Sequence, residues 1–490
     1  MPVRSIRNIY LLAALLALAF SGCTPRSPQD AETFTVLYTN DEHGWMEGMQ
    51  SGQGAAEIMG LWQTDLGYHP DGPFLILSGG DNWTGPAIST WFDGQSMVEV
   101  MNAMGYNASV VGNHEFDFGL DGLKQNLAKA DFPYLSANIR YKNGGKIPED
   151  LGIKPYTIVP VGDLKVGLIG LTTTSTPSTT NPANLTDLEF IDYELALRQV
   201  VPEVQAAGAD LILVPGHLCQ DELTTLATRI KDLEVQMLGG GHCNELFAEQ
   251  AGDTILIEGG YHYTSYAYIT YSYDPDSKRI LDAKFGTRPN QGGQPDPQVS
   301  SVIVGWARKT DAELKQPIGY LNNEILRGSQ SMQDLITETW LLGYPNADIA
   351  LTNMGGMRDR IPAGALTLAD IVGVMPFNNV LVNIQLTGDQ MEQVLRSGVS
   401  QPAIGGMHRV GSGWVLNKTG QPLEKDETYS VLVNDFMYAG GDNYGLLAQF
   451  DPNAYNTAID WRQPVIDWIL SLHSSQENPL DTAIQGLSDH

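Results

Sequence analysis

Seven side chains of metal-ligand type follow short apolar runs, in five places along the first half of the chain. The run 34–38 leads to Asp41 and His43, the run 74–77 to Asp81, and the run 109–111 to Asn113. The run 211–214 leads to His217, and 235–238 to His242 and Asn244. Carboxylate, imidazole and amide donors together suit borderline divalent ions such as Zn²⁺, Mn²⁺ or Co²⁺. Asp41 and His43, and again His242 and Asn244, are spaced by two, which is expected to set both side chains on one side of an extended backbone. A single strand-end histidine is ordinarily satisfied by the core, so no one piece carries weight. Five in series do.

The elements that must position these groups are legible around them. Continuous apolar runs of this length read as buried strands. Helical stretches at 97–104 and 195–207 separate several of them, so the chain is expected to be α/β, with its active groups beyond the carboxyl ends of the strands. The run 166–170 is a further strand with no ligand at its end. Tyr261, Tyr263, Tyr266, Tyr268, Tyr271 and Tyr273 alternate as in a structural strand rather than a carbohydrate platform. Residues 287–298 are rich in Pro, Gly and Gln and mark a domain boundary. An amphipathic helix is expected at 299–314, a second domain after it, and a polar, loose tail from 474. His69, His262, His408, His473 and His490 read as surface or strand residues.

The chain has 490 residues, 42% of them hydrophobic, which is enough for several cores, and 52 are glycine, consistent with many tight loops. Its net charge of −29 argues against a nucleic-acid partner, which needs a basic face. Three cysteines exclude a scaffold built on disulfides. Arg4 and Arg7 precede an apolar stretch, 9–20, too short to span a bilayer as a stable helix. The small residues before Cys23 resemble a bacterial lipoprotein signal, cleaved before Cys23, which is then lipidated. The alternative is an ordinary secretory signal; either way the chain is exported, with 24–32 as a tether. Membrane contact is then expected only through the anchor, at the periplasmic or outer cell surface.

In order, Asp41-x-His43, Gly80-Asp81, Gly112-Asn113-His114-Glu115, Gly216-His217 and Gly241-His242-x-Asn244 resemble a calcineurin-like metallophosphoesterase. The block Gly112 to Asp117 is similar to that of the 5′-nucleotidase and UDP-sugar hydrolase family. The second half agrees independently. Asn353-Met354-Gly355-Gly356-Met357-Arg358 resembles the family's Asn-Gly-Gly-Gly-Ile-Arg block, Pro376-Phe377-Asn378-Asn379 its Pro-Phe block, and Phe436 to Asp442 its Phe…Gly-Gly-Asp block.

The resemblance implies a four-layer α/β/β/α catalytic sandwich at 33–288 and a smaller α/β nucleotide-binding domain at 318–473. Around these the sequence itself reads as a signal peptide at 1–22, a tether at 23–32, a linker and connecting helix at 289–317, and the tail at 474–490. The resemblance implies two divalent ions, the first on Asp41, His43, Asp81 and Asn244, the second on Asp81, Asn113, His217 and His242, with Asp81 bridging. The family usually has His or Gln where Asn244 stands. The expected nucleophile is a hydroxide held by both ions, which sit about 4 Å apart in such sites. His114 would protonate the leaving alkoxide, with Asp117 orienting it and raising its pKa; the bland alternative is a loop histidine. Arg327, Asn353 and Arg358 would bind anion and ribose, Phe377 and Phe436 would sandwich a base, and Asp442 would contact ribose hydroxyls.

The activity implied is hydrolysis of nucleoside 5′-monophosphates to nucleoside and phosphate. The alternatives are a broader nucleotide, UDP-sugar or cyclic-nucleotide phosphohydrolase, a relative acting on sulfur-bound carriers, and a silent surface nucleotide-binding protein. Since His217 and His242 are assigned to one ion, Cys219 and Cys243 must come close. A disulfide, two free thiols and thiol ligation all stay open.

Overall fold

Alternation along the first strand decides how the layers stack. In the computed structural model, which describes residues 31–489, Glu32–Thr39 sends Phe34, Val36 and Tyr38 to one side and Leu37 to the other. The signal segment, Cys23, most of the tether and His490 lie outside the described residues. Glu32–Thr39 sits third in a seven-stranded sheet ordered Ile280–Pro289, Ser265–Tyr273, Glu32–Thr39, Phe74–Ser78, Ala108–Val110, Tyr134–Leu135, Ile153–Lys154. A six-stranded sheet runs Leu246–Ala251, Thr254–Gly259, Met237–Gly239, Leu211–Val214, Leu164–Ile169, Tyr156–Val161.

Phe34, Val36 and Tyr38 meet Val166, Leu168, Leu213 and Ile257 between the two sheets. Each such fully buried Val or Leu contributes about 1.5–3 kcal/mol. A slip of one residue would turn this set outward, so the parallel pairing of Val36 with Leu75 and Tyr38 with Leu77 is strongly specified. The outer faces are covered by helices. Ala55–Asp65, Gln95–Met104 and Pro297–Leu314 bury Ile58, Val98 and Trp306 on the first sheet. Tyr193–Ala206 and Gln220–Arg229 bury Leu197, Val201 and Leu226 on the second. This is the four-layer α/β/β/α sandwich expected from the resemblance. The tyrosine alternation is structural: Tyr271 and Tyr273 face the space between the sheets, and Tyr266 faces the helices.

The second half has its own five-stranded sheet, ordered Ala403–Gly405, Ile349–Thr352, Thr428–Asn434, Val380–Thr387, Tyr455–Asp460. Gln330–Gly343 covers one face through Leu335 and Trp340, and Gly388–Ser397 the other through Met391 and Val394. The helix expected at 299–314 runs Pro297–Leu314, and the Asp296 carboxylate caps it by accepting from the backbone N–H groups of Gln298 and Val299, each at 2.9 Å. Its Val299, Ile303 and Trp306 belong to the first half's core, whereas Leu314 meets Ala87 of the first half and Val372 of the second.

The expectation of a loose tail is corrected. Leu480, Ile484 and Leu487 recur at helical spacing and are buried in the second half's core. The Asp481 carboxylate accepts from the backbone N–H groups of Asn322 and Asn323. Three apolar residues among polar ones were enough to dock the segment. Among the described residues no helix is long and apolar enough to cross a membrane.

Candidate active site

Each of the five ligand-bearing runs ends as a strand, and the candidate ligands follow within a few residues of the strand ends. The backbone there is not extended, contrary to the reading of the two spacings. Asp41, His43, Asp81, His242 and Asn244 all have positive φ, between 46° and 78°. The chain turns sharply as it leaves the sheet, and left-handed residues aim the side chains back over the strand ends. Such conformations cost about 1–3 kcal/mol each and persist only where the surroundings enforce them.

The enforcement comes from buried carboxylates and amides. Glu115 accepts from the backbone N–H of Gly112 at 2.6 Å, of Asn82 at 2.7 Å and of Asp81 at 2.9 Å, tying the Asp81 loop to the Asn113 loop. Glu42 accepts from the hydroxyl of Ser78 and the amide of Asn82. Asn40 donates to Asp41 Oδ2 at 2.7 Å while its own oxygen accepts from the backbone of Gly259. Tyr38, wholly buried, lies within 3.1 Å of the Gly216 carbonyl and 2.9 Å of the Gly240 carbonyl, between the His217 and His242 loops. Gly112 passes so close to Asp81 that a Cβ there would fall 2.2 Å from Oδ1, so no other residue fits. Cys219 and Cys243 form a disulfide with Cα atoms 5.3 Å apart, which joins the same two histidine loops. Apart from the two cysteines, these bracing residues carry no role that sequence alone assigns. The signal was their place beside the ligands, within the same blocks.

At the centre, Asp81 Oδ2 lies 3.0 Å from His217 Nε2 and 3.9 Å from His43 Nε2, so one carboxylate oxygen stands between the two imidazoles. Asn113 Oδ1 is 3.2 Å from His217 Nε2, and His43 Nε2 is 3.8 Å from Asp41 Oδ1. His43 Nδ1 is turned to the carbonyl of Thr84 at 2.9 Å and His217 Nδ1 to that of Gly79 at 2.8 Å. A carbonyl can only accept, so both Nδ1 atoms carry a proton, and both Nε2 atoms are turned to the carboxylates. Acceptors crowded this closely need a cation among them, and the N/O donor set fits divalent metal. His43, Asp81 and His114, and separately Asp81, His217 and His242, are spaced to hold ions.

A proton on His217 can supply the same positive charge in place of an ion. Burial alone would push His217 down, but the carboxylate of Asp81 lifts it to about 10. Burial would raise Asp81, but the His217 charge holds it well below the usual carboxylate range. Burial lifts Asp41 to about 6. Asn244 lines the same cleft as His43, Asp81 and Asn113 but, unlike them, is exposed.

His114 Nδ1 is 2.7 Å from Asp117 Oδ2, and its backbone N–H donates to Asp81 Oδ1 at 2.8 Å. Burial opposes a charge on this imidazole, yet Asp117 and Asp81 prevail and its pKa is raised. The ring stacks on Phe377 of the second half, centroids 5.9 Å apart and planes at 26°.

A cleft of about 250 Å³ joins the halves here. The first half lines it with His43, Asp81, Asn113, His114, Asp117, His242 and Asn244, the second with Asn353, Arg358, Phe377, Phe436 and Asp442. Arg358 Nη2 donates to His43 Nε2 at 3.3 Å. Asn353 donates to Asp442 Oδ2 at 2.8 Å and accepts from Asn434, whose own oxygen caps the turn carrying Phe436. Asn434 was not singled out in the sequence; its place just before Phe436 is the signal.

Arg327 does not line this cleft but shares a neighbouring one with His43, Asn244 and Arg358. It is exposed in an adjoining cleft of about 1410 Å³, with its Nε donating to the Met357 carbonyl at 2.8 Å. His262, read as a surface or strand residue, instead lines that cleft. It stacks on Trp45 at 5.0 Å and lies edge-on to His43 at 5.7 Å. The strand of tyrosines begins only at Ser265, so His262 sits in the turn before it.

Residues 312–449 match the family described as 5′-nucleotidase, C-terminal domain. The chain is 28% identical to the snake venom 5′-nucleotidase of Naja atra, covering 87% of this chain and 94% of that one. It is 25% identical to the protein UshA of Yersinia enterocolitica, covering 96% of each. The solved structure of a 5′-nucleotidase precursor from Thermus thermophilus superposes with a TM-score of 0.77 at 25% identity, over 91% of this chain and 97% of that one. The resemblance read from the motifs therefore holds across both halves.

Proposed function

We propose, from a chain that carries a 5′-nucleotidase C-terminal domain and is similar to 5′-nucleotidases over most of its length, that this protein hydrolyses nucleoside 5′-monophosphates to nucleoside and phosphate. The observation that carries the reading is the stacking of His114 on Phe377, which sets a proton donor of one half against an aromatic face of the other. We assign catalysis to 33–288 and nucleotide binding to 318–473, joined through 289–317. Asp41, His43, Asp81, Asn113, His217, His242 and Asn244 would hold two divalent ions, Zn²⁺, Mn²⁺ or Co²⁺. When bound, such a pair makes water acidic enough to attack at neutral pH and neutralises phosphoryl oxygens.

The chain's own residues do the rest. The base stacks between Phe377 and Phe436, while Asn353 and Asp442 take the ribose hydroxyls. Arg358 presents its guanidinium fork to the phosphoryl oxygens beside His43. As the bond from phosphorus to the ribose oxygen breaks, His114 gives that oxygen its proton, and Asp117 stabilises the imidazole before and after. Arg327 would meet anionic groups only at the margin, from the adjoining cleft. Export and a lipid anchor at Cys23 would deliver the enzyme to extracytoplasmic nucleotides, on the strength of residues 1–23.

A metal titration read by AMP hydrolysis tests the proposal. Metal-stripped protein is expected to be inactive and to regain phosphate release from AMP as Zn²⁺, Mn²⁺ or Co²⁺ is added. Failure of all three to restore turnover would sink it.

A further inference from the structure

The strand Leu164–Ile169 has no ligand at its end, yet the segment that follows reaches the active site. Residues 172–181 read Thr-Thr-Thr-Ser-Thr-Pro-Ser-Thr-Thr-Asn, eight hydroxyls in ten residues. A connection so polar would ordinarily be solvated, but Thr172, Thr173, Thr176 and Thr180 are buried. The segment is pinned at both ends to the stretch that carries the dyad. Thr172 Oγ1 donates to the Val111 carbonyl at 2.6 Å, and Asn184 donates to the Phe116 carbonyl at 2.9 Å. Between these pins, the Thr180 hydroxyl donates to Asp117 Oδ1 at 2.9 Å. The other oxygen of Asp117 faces His114 Nδ1 at 2.7 Å. The same segment leans on the second half, where Thr176–Thr179 packs against the turn Gly441–Asn443 that holds Asp442.

We infer that Thr180 is a positioning residue for the leaving-group step. The last torsion of an aspartate is broad and nearly two-fold, so a carboxylate held at one oxygen alone swings away from its imidazole. A second, charge-assisted bond to Oδ1 fixes the plane of the carboxylate and keeps Oδ2 on His114 Nδ1. Thr180 lines the cleft, but its hydroxyl is engaged with Asp117, and it acts through that carboxylate. The inference rests on the proposed hydrolysis of phosphate esters, and its effect should scale with how much the departing oxygen needs a proton.

The test compares wild type, Thr180→Ala and Thr180→Ser, each loaded with metal, on AMP and on phenyl phosphates of rising leaving-group pKa. Thr180→Ala is expected to lose roughly tenfold in kcat on the poorest leaving groups and less than about twofold on p-nitrophenyl phosphate, with KM unchanged. Thr180→Ser, which keeps the hydroxyl, should restore the wild-type pattern. A second readout needs no turnover: the Nδ1–H proton resonance of His114, assigned by its loss in His114→Ala, should move or broaden in Thr180→Ala metal-free protein. Equal losses on all esters, or an unmoved resonance, would overturn the role. If wild type cleaves the aryl esters but not AMP, the nucleotidase reading falls, while the ester series still decides Thr180.

Discussion

The two halves build their parts of the site in opposite ways. In the first, Asp41, Asp81, Asn113 and His217 are buried, two imidazoles are fixed by backbone carbonyls, and Glu115, Glu42, Asn40 and Tyr38 brace the turns. In the second, Arg358, Phe377, Phe436 and Asp442 are only half-buried, and they face a cleft rather than a core. The proposed metal pair would tolerate little error in donor position, and its candidate ligands are set before anything binds. The proposed nucleotide is larger and would be gripped by faces and forks that settle around it. The contrast locates rigidity where charge must be arranged and latitude where shape is recognised.

The largest expected effect falls where the halves meet. His114→Ala should lower AMP turnover by about 10²- to 10⁴-fold with metal content unchanged, and Asp117→Asn should cost less because the imidazole remains. His114 also lies within ligand distance of His43 and Asp81, so metal analysis of the variant sharpens the comparison. A lost ion would move His114 into the rigid set; near-normal turnover would remove it from the chemistry.

Next in size are the aromatic faces. Phe377→Ala and Phe436→Ala should each weaken AMP binding by about 1–3 kcal/mol, seen as a raised KM for AMP with little change for p-nitrophenyl phosphate. Phe436 is the cleaner test, since Phe377 also stacks on His114 and contacts Trp461. Equal effects on both substrates would make the rings part of the core and erase the contrast.

The smallest effect probes the rigid side through stability. Glu258 is wholly buried with Oε2 unpartnered, and burial together with the repulsion of Asp41 pushes its pKa up to about 9. A folded-state value above the unfolded one means that the folded protein keeps this proton longer. The resulting stability is complete below the ordinary value of 4.5 and is lost as pH rises to about 9. Glu258→Gln has no proton to lose. In metal-stripped protein its Tm should therefore gain on wild type by about 2–6 °C across that window and then level off. A constant difference from about pH 5 to 9 would show that Glu258 is charged in the fold.

Much of this was legible in the sequence, for a physical reason: parallel strands buried on both faces are continuous apolar runs, and their ends announce the site. Asp41, Asp81, Asn113 and His217 were found that way. What escaped was whatever lacked that signature. Residues 172–181 follow a strand with no ligand, and hydroxyl side chains look alike whether solvated or buried. The docking of 480–487 rested on three apolar residues in a polar stretch. His262 went astray because a motif fixes neighbours in sequence, whereas a cleft is shared between distant turns. The bond between Cys219 and Cys243 needed the distance between two loops, which spacing alone could not supply.

The left-handed turns at the ligands also bear on how such a site can drift in evolution. Under the proposed function two filters act at positions 41, 43, 81, 242 and 244: a side chain has to suit a metal, and it has to tolerate positive φ. Among residues with a side chain, Asn, Asp and His enter that region most readily. Those are the three types that stand at all five positions. Asn244, shorter than the residue its relatives were expected to have, lies inside that intersection at a φ of 57°. The neutral path open to such a position is an exchange among these three types, and metal affinity is the property that varies along it while the turn stays the same.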